Sequence, residues 1–284
     1  MNELSRALDG TADETAEGVA EWFGMPRLYM LAVEDGDGRL VGYGDTHANS
    51  DERTKWWVDV RELPGSSRAS ELLVPELERH VAEASPPSPL VRATIGSQND
   101  AGRSVFAASG YTPIRSSYRM GIELSERPPV PGWPEGLTVR TLRPGEDERP
   151  VYEAHMDAFA DHWDFERAPY EEWRTWHTDR ESFEPSLWFL VEEGPEIAAV
   201  CLCRSDDTFE PPRGWIGELG VRRQWRRRGL GLALLQHAFG QFHDRGLRNA
   251  GLGVDAENTT GAVRLYERAG MHVVSRMDTL EKTL

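Results

Sequence analysis

An internal repeat constrains this chain more than any other feature. An apolar run at Leu28–Val33, a turn and a second apolar run at Leu40–Tyr43 recur 159 positions later at Leu187–Val191 and Ile197–Leu202. Both pairs of runs are typical of β-hairpins. The 284-residue chain is therefore expected to hold two copies of one unit, which agrees with about 150 residues per domain.

A second repeated feature has nearly the same offset. The segments from Asn99 to Gly110 and from Asn258 to Gly270 each predict a short helix that a glycine ends before a new strand. The two glycines are separated by 160 positions. We therefore interpret the fold as α/β, with two related units that are each a mixed twisted sheet flanked by helices.

A proline-rich segment lies between the copies. Residues 127–136 contain four prolines, which remove backbone donors and fix φ, so a stiff linker is expected. The predicted units are residues 1–126 and residues 137–284. Only 27 residues precede the first hairpin, so the first unit is expected to be a trimmed copy without an opening strand or helix.

Composition excludes several classes of protein. Lys and Arg number 32 against 48 Asp and Glu, and the net charge of −16 repels nucleic acid and anionic membranes. The sequence has no run of 18 apolar residues and no apolar leader. Cys201 and Cys203 are too few for a disulfide framework and are expected to be buried. These features predict a cytoplasmic protein without nucleic-acid or membrane partners.

The most informative segment joins a strand to a helix through a basic loop. Residues 222–228 hold five arginines, and helical spacing from Leu230 onward places Gly229 and Gly231 at a helix start. Free N–H groups, the helix dipole and the arginines all favour an anion there. Neither glycine-rich nucleotide motif fits, because Leu234 replaces the third glycine of one and the other lacks its Lys-Ser/Thr.

The spacing Arg226-x-x-Gly229-x-Gly231 after a strand resembles the pyrophosphate loop of the GNAT superfamily of acetyl-coenzyme A-dependent N-acyltransferases. The resemblance extends from about Leu137 to the C-terminus and includes a second signature from Asn258 to Met271. The tandem arrangement is also similar to that of the mycothiol synthase group of actinobacterial acetyltransferases. The resemblance implies acetyl-CoA as co-substrate and no metal.

Roles for individual residues follow from the resemblance. Backbone N–H groups of the basic loop would hold the pyrophosphate, and the strand before the loop would pair with the pantetheine arm. The residues implied to bind the coenzyme are Leu219, Gly220, Val221, Arg226, Arg227, Arg228, Gly229, Leu230, Gly231, Leu232 and Asn258.

Direct transfer from a thioester to an amine needs a neutral amine and a proton for the departing thiolate. Tyr266 matches a position where the family often keeps a tyrosine near the sulfur, so it is expected to be the general acid; a core tyrosine with a bonded hydroxyl is the alternative. Glu218, in the strand beside the thioester, is expected to be the general base, directly or through water. A salt-bridged Glu218, with Trp215 at the family's carboxylate position, and His162 as base remain alternatives.

An aromatic and acidic segment follows the first helix of the second unit. Asp161, His162 and Trp163 are predicted to bind the acceptor amine by charge pairing and cation–π contact. The nearby Trp173, Trp176 and His177 have helical spacing, which is equally typical of a core.

The first copy is expected to lack the chemistry. With Val60 aligned on Val221, Pro64 interrupts its loop, while Asn99 is retained. The remaining counterparts are Arg68 for Gly229, Ser70 for Gly231 and Phe106 for Tyr266. The first unit is therefore expected to have a structural role, with weak coenzyme binding left open.

The sequence predicts an N-acetyltransferase that acts in its C-terminal unit on a primary amine of a small molecule, as a monomer or homodimer. A non-catalytic acyl-CoA sensor, an enzyme like mycothiol synthase and a peptide N-terminal acetyltransferase are the alternatives.

Overall fold

The computed structural model describes residues 27–63, 68–179, 183–206 and 212–284. The strands are β1 (Leu28–Glu34), β2 (Leu40–Ala48), β3 (Lys55–Glu62), β4 (Leu90–Gly96), β5 (Thr112–Glu123), β6 (Thr138–Thr141), β7 (Trp188–Glu193), β8 (Glu196–Asp206), β9 (Arg213–Val221), β10 (Asn249–Asp255) and β11 (His272–Thr283). The α-helices are α1 (Ala69–Ala84), α2 (Asp100–Ala108), α3 (Glu148–Phe159), α4 (Tyr170–His177), α5 (Leu230–Asp244) and α6 (Ala262–Arg268).

The order of these elements confirms the α/β class and the repeat. The series β7-β8-β9-α5-β10-α6-β11 repeats the series β1-β2-β3-α1-β4-α2-β5. The second copy opens with β6, α3 and α4. The corresponding part of the first copy, which we expected to be missing, falls on residues 1–26 and lies outside the described residues.

The ends of α2 and α6 show that the two copies are aligned correctly. Each helix is followed by a glycine in the left-handed region, Gly110 with φ 89° and Gly270 with φ 95°. The N–H of the next residue then donates back over 3.0 Å, to the carbonyl of Phe106 in one copy and of Tyr266 in the other. Phe106 is therefore the structural counterpart of Tyr266.

The chain divides into two compact units. The first comprises the described residues up to Tyr118 together with Ser275–Leu284, and the second comprises those from Arg119 to Val274. This division differs from the expected units 1–126 and 137–284, because β11, the final strand of the second copy, pairs with β4 of the first copy. In the antiparallel pair of β4 and β11, Gly96 lies opposite Met277 and Leu90 lies opposite Thr283.

The first unit has β1, β2, β3, β4 and β11 as successive neighbours in its sheet. The β3–β4 pair is parallel and the other pairs are antiparallel. Helix α1 buries one face, with Leu73, Val74, Leu77 and Val81 at the i, i+3 and i+4 spacings of an amphipathic helix. Val74, Leu77 and Val81 belong to a core that includes Trp56.

The second unit orders its sheet β5-β10-β9-β8-β7-β6. The β9–β10 pair is parallel, whereas β6, β7, β8 and β9 pair in antiparallel fashion. Helix α5 buries Leu234, Leu235, Ala238 and Phe242. A further core cluster joins α3 and α4 to β7 and β8 around Trp173, Trp188 and Val200.

The proline-rich segment 127–136 has no regular secondary structure. Arg127 donates to both carboxylate oxygens of Asp244 at the end of α5, at 2.8 and 2.9 Å, and Trp133 contacts the ring of His237 on the same helix. The segment thus lies along α5. In the part of the chain that the structure describes, none of the helices combines the length and apolar character needed to cross a membrane.

Candidate active site

The candidate site is organised around β9, where the sheet of the second unit is interrupted. Leu202 of β8 lies opposite Glu218, but the next residue, Cys203, lies opposite Ile216. Gly217 is therefore an extra residue in β9 and forms a β-bulge. Such a bulge changes the direction of the side chains that follow it, and Glu218 is the first of them.

The parallel strands β9 and β10 pair over only three residues. Their ladder joins Gly214–Ile216 to Ala250–Leu252 and, within the described residues, does not continue past the bulge. Beyond Ile216 the backbone of β9 has a strand partner on the β8 side only. The predicted coenzyme residues Leu219–Val221 lie in this separated stretch, where an extended ligand can pair with the open edge of the strand.

Helix α3 packs closely against the same stretch of β9. A Cβ built on Gly220 would lie 2.8 Å from the Cβ of Ala158 and 2.9 Å from the ring of Phe159. A larger residue in place of Gly220 would force helix and strand apart. The glycine therefore allows the end of α3, with the residues that follow it, to reach the site.

The loop after β9 ends at the uncapped start of α5. Gly229 has φ 84° and ψ 0°, a left-handed conformation that glycine adopts without steric cost, and no side chain caps the helix. Its first N–H groups therefore have no intrahelical acceptor, and the helix dipole adds a partial positive charge at this end. This end of α5, formed by Gly229, Leu230, Gly231 and Leu232, therefore has main-chain donors suited to an anion, and their role in coenzyme binding stays a prediction.

Most of the loop's arginines are paired with carboxylates, which the sequence reasoning missed. These pairs are Arg222 with Asp157 at 2.9 Å, Arg226 with Asp161 at 2.7 Å, Arg228 with Glu193 at 2.9 Å, and Arg223 with Asp161. They brace the loop and offset most of its positive charge. Arg227, which is exposed with φ 64°, has no carboxylate partner among the described residues. It is therefore the arginine best able to act on a bound anion.

Asp161, predicted to bind the acceptor, lies under the loop. Hydrogen bonds from Arg223 and Arg226 lower the pKa of its carboxyl to about 2. Arg226 also donates to the carbonyls of Val221 and Ala158, each at 3.0 Å. This guanidinium therefore ties the loop both to the end of β9 and to α3.

Tyr266 of α6 is 8% exposed and its hydroxyl makes no hydrogen bond to any described residue. The alternative was a core tyrosine whose hydroxyl is hydrogen-bonded, and none of the described residues forms such a bond with Tyr266. Burial first, and then the neighbouring Cys201 and Glu218, raise the pKa of Tyr266 well above its usual value. The phenol therefore stays protonated at neutral pH and is able to donate.

Glu218, whose side chain is 31% exposed, lies near both Tyr266 and a group of histidines. Burial raises the pKa of its carboxyl, but interaction with His155 and the charges of His155, His177 and His162 outweigh that effect and lower the pKa. Glu218 is therefore an anion at neutral pH. Trp215, the alternative position, instead has the guanidinium groups of Arg204 and Arg213 over its ring.

His162 and Trp163 follow α3. The ring of His162 lies 4.3 Å from that of Phe159. Burial first lowers the pKa of His162, and the charges of Glu218 and Asp255, which act in the opposite sense, show that these carboxylates are nearby. Trp163 is 43% exposed. The structure thus brings His162 and Glu218 together.

Asn258 lies in the turn before α6, whose N-cap is Gly261. Its side-chain oxygen accepts from the N–H of Thr260 at 2.8 Å and of Ala262 at 3.4 Å, which leaves its amide nitrogen for a ligand. Asn99 is the N-cap of α2 and accepts from the N–H of Gly102 at 3.0 Å. The asparagine that both copies share therefore has a structural role in each.

At the start of α1, the first copy keeps the backbone conformation of the second copy but not its open helix end. Arg68 precedes α1 with φ 92° and ψ 4°, nearly the same conformation as Gly229. The N–H of Ser70 donates to the carboxylate of Glu62 at 2.8 Å. A protein carboxylate therefore already lies where the second copy leaves the helix start open. Pro64, expected to interrupt this loop, lies outside the described residues.

A parallel strand pair that separates at a bulge, next to an uncapped helix start, defines an acetyltransferase of the GNAT fold. The model of the acetyltransferase (GNAT) family matches residues 149–271. In the described ranges we find no cluster of three or more side chains arranged to hold a metal ion.

Related proteins extend this match over most of the chain. A mycothiol acetyltransferase of Cellulomonas flavigena is 30% identical over 261 residues, which cover 86% of this chain and 72% of that protein. One from Kytococcus sedentarius is 30% identical, with coverage of 86% and 78%. The chain therefore belongs to the GNAT acetyltransferase family and is an acyltransferase.

Solved structures agree with this assignment. A GCN5-related N-acetyltransferase of Sphaerobacter thermophilus has a TM-score of 0.83 and 34% identity, and the match covers 99% of this chain and 91% of that one. A tandem GNAT protein from the clavulanic acid biosynthesis pathway has a TM-score of 0.71 at 18% identity, with 98% and 92% covered. The latter likeness supports the tandem architecture.

Proposed function

We propose that this enzyme transfers the acetyl group of acetyl-CoA directly to the primary amine of a small molecule, and that the second unit carries the reaction. The observation that carries the proposal is the separation of β9 from β10 at the bulge, where Glu218 is the next residue of β9. Tyr266 is buried near it, and no described residue hydrogen-bonds its hydroxyl. The first unit has Phe106 in place of the tyrosine, and a phenyl ring has no proton to donate.

The coenzyme's diphosphate is proposed to lie against the N–H groups at the start of α5, from Arg227 to Leu232, because the N–H of Arg226, which was also predicted to bind it, already donates to the carbonyl of Arg223 at 3.3 Å. The pantetheine arm would then pair with the open edge of Leu219–Val221, and the amide nitrogen of Asn258 would donate to it. Arg226 serves as the brace of the loop, and Arg227 supplies the charge that its paired neighbours do not. Each residue that the sequence predicts to bind the coenzyme thus has a role in the proposed site, and that role needs no metal.

The proton steps follow from the charges of the two side chains. Glu218 attracts the acceptor's ammonium and takes one proton from it, directly or through water. The neutral nitrogen then bonds to the acetyl carbon and loses its second proton to solvent. The carbon–sulfur bond breaks, and the sulfur keeps the electron pair and receives a proton from Tyr266, which solvent then reprotonates. A backbone N–H of β9 near the bulge is proposed to donate to the carbonyl oxygen while it carries negative charge.

The acceptor is proposed to be a cationic amine held by Glu218 with help from His162 and Trp163. Asp161 contributes by holding Arg223 and Arg226 in place. Because relatives over most of the chain are named mycothiol acetyltransferase, mycothiol acetylation is the first activity to test. We further propose a cytoplasmic enzyme, monomeric or homodimeric, in keeping with the free thiols of Cys201 and Cys203.

Release of free CoA thiol in the presence of acetyl-CoA and a panel of amines tests the proposal. Wild-type protein is expected to turn over with at least one primary amine, and Tyr266→Phe is expected to bind coenzyme normally but turn over slowly. Tyr170→Phe is the matched control, because it removes a phenolic hydroxyl elsewhere in the second unit. Coenzyme binding without thiol release across the whole panel would favour the sensor.

A further inference from the structure

Behind Glu218, two buried side chains form a polar line that runs from the core to the site. His155 of α3 is 5% exposed and Trp173 of α4 is 2% exposed. The indole Nε1 of Trp173 donates to Nδ1 of His155 over 2.9 Å. The other ring nitrogen, Nε2 of His155, lies 3.6 Å from Oε2 of Glu218.

The indole determines where the imidazole carries its hydrogen. An indole N–H is only a donor, so Nδ1 of His155 accepts that bond and carries no hydrogen. A neutral imidazole has one N–H, which must then be on Nε2, facing Glu218. The ring of His177 stacks on Trp173 with a centroid distance of 4.6 Å, and its Nδ1 lies 2.8 Å from the Trp173 carbonyl oxygen. The indole is therefore held in place on α4.

If Trp173 and His155 only filled space in the core, they would not need an indole hydrogen-bonded to an imidazole. Burying a polar group without a partner destabilises the fold, and an apolar side chain of similar size would pack the same space without that cost. Here each buried polar atom faces a partner in the line. The 3.6 Å separation from Glu218 is longer than a hydrogen bond, and such contacts are often long without substrate and tighten when it binds.

We propose that Trp173 and His155 are positioning residues for Glu218: the indole selects the imidazole tautomer whose Nε2–H donates to one carboxylate oxygen, leaving the other oxygen for the acceptor amine. The proposal rests on the proposed function of Glu218 as proton acceptor. It extends the site by two residues that do not touch the reacting atoms.

Four other titratable groups lie near the carboxyl of Glu218. These are His155 and His177 on the helices behind it, His162 after α3, and Tyr266 of α6. His155 is the one whose ring nitrogen faces the carboxylate directly, with Nε2 3.6 Å from Oε2. Loss of that donor disfavours the carboxylate form, so the acid limb of the kcat/KM profile should move to higher pH.

The test compares His155→Leu with His155→Gln. The leucine variant has no donor and is expected to raise the midpoint of the acid limb by about one pH unit. The glutamine variant can present an amide N–H and is expected to restore most of the wild-type profile. His272→Gln, at an exposed position on β11, is the control and should leave the profile unchanged. Equal profiles for His155→Leu and His155→Gln would overturn the proposal.

A second readout does not depend on turnover. Two-bond 15N–1H correlation spectra of the histidine rings should show His155 as the Nε2–H tautomer in wild-type protein and as a mixture in Trp173→Phe. A wild-type Nδ1–H tautomer would overturn the proposal even if the leucine variant fails to fold. Full activity of Glu218→Gln would instead overturn the proposed function while leaving the tautomer result intact.

Discussion

Replacing Gly229 tests the loop geometry on which coenzyme binding depends. An added Cβ meets no atom within 4 Å, so the cost of Gly229→Ala is conformational rather than steric. Holding a non-glycine residue in the left-handed region costs about 1 to 2 kcal/mol. Because Gly229 is exposed and no side chain caps the helix, the loop can relax out of this conformation when free. CoA must then restore the left-handed conformation of this residue on binding.

This cost converts into a weakening of CoA affinity of about 5- to 30-fold, which isothermal titration calorimetry can measure. The control is Arg68→Gly, which makes the reverse change in nearly the same backbone conformation of the first unit. It should leave CoA affinity unchanged and raise the free energy of unfolding slightly, since relieved strain is partly offset by glycine's larger unfolded entropy. Unchanged affinity in Gly229→Ala, or an equal loss in both variants, would refute the reasoning.

Three further predictions concern the chemistry and the first unit. Tyr266→Phe should lower kcat by at least about 100-fold with little change in CoA affinity, and equal kcat would contradict its acid role. With the pKa of Glu218 lowered and that of Tyr266 raised, neither should titrate between about pH 6 and 9. Because Glu218 binds and deprotonates the ammonium form of the acceptor, kcat/KM there should be level and fall only above the acceptor's own pKa. A limb in this range that ignores the acceptor's pKa would contradict this. Because Glu62 holds the start of α1, calorimetry should find one CoA per chain rather than two.

The repeat was predictable because it depends on local signals. Hairpin patterns and glycine-terminated helices are set by residues close in sequence, and these patterns alone align Phe106 with Tyr266 and Arg68 with Gly229. The structure confirms the fold class and gives both pairs matching backbone geometry.

Features that depend on distant pairing were not predictable. The pairing of β4 with β11 joins residues far apart in sequence, so the local pattern does not reveal that Ser275–Leu284 lies in the first unit. The same holds for Asp157 and Glu193, whose pairing with loop arginines requires the folded chain. His155 also looked like an ordinary helix residue, because only the packing of α3 against β9 brings its ring to Glu218.

A crystal structure with CoA tests the central claim most directly. The account predicts the diphosphate at the start of α5, with its oxygens about 2.9 Å from main-chain nitrogens between Arg227 and Leu232. It also predicts the pantetheine arm along Leu219–Val221. A diphosphate held at the start of α1, or bound only by side chains away from Gly229, would contradict the account.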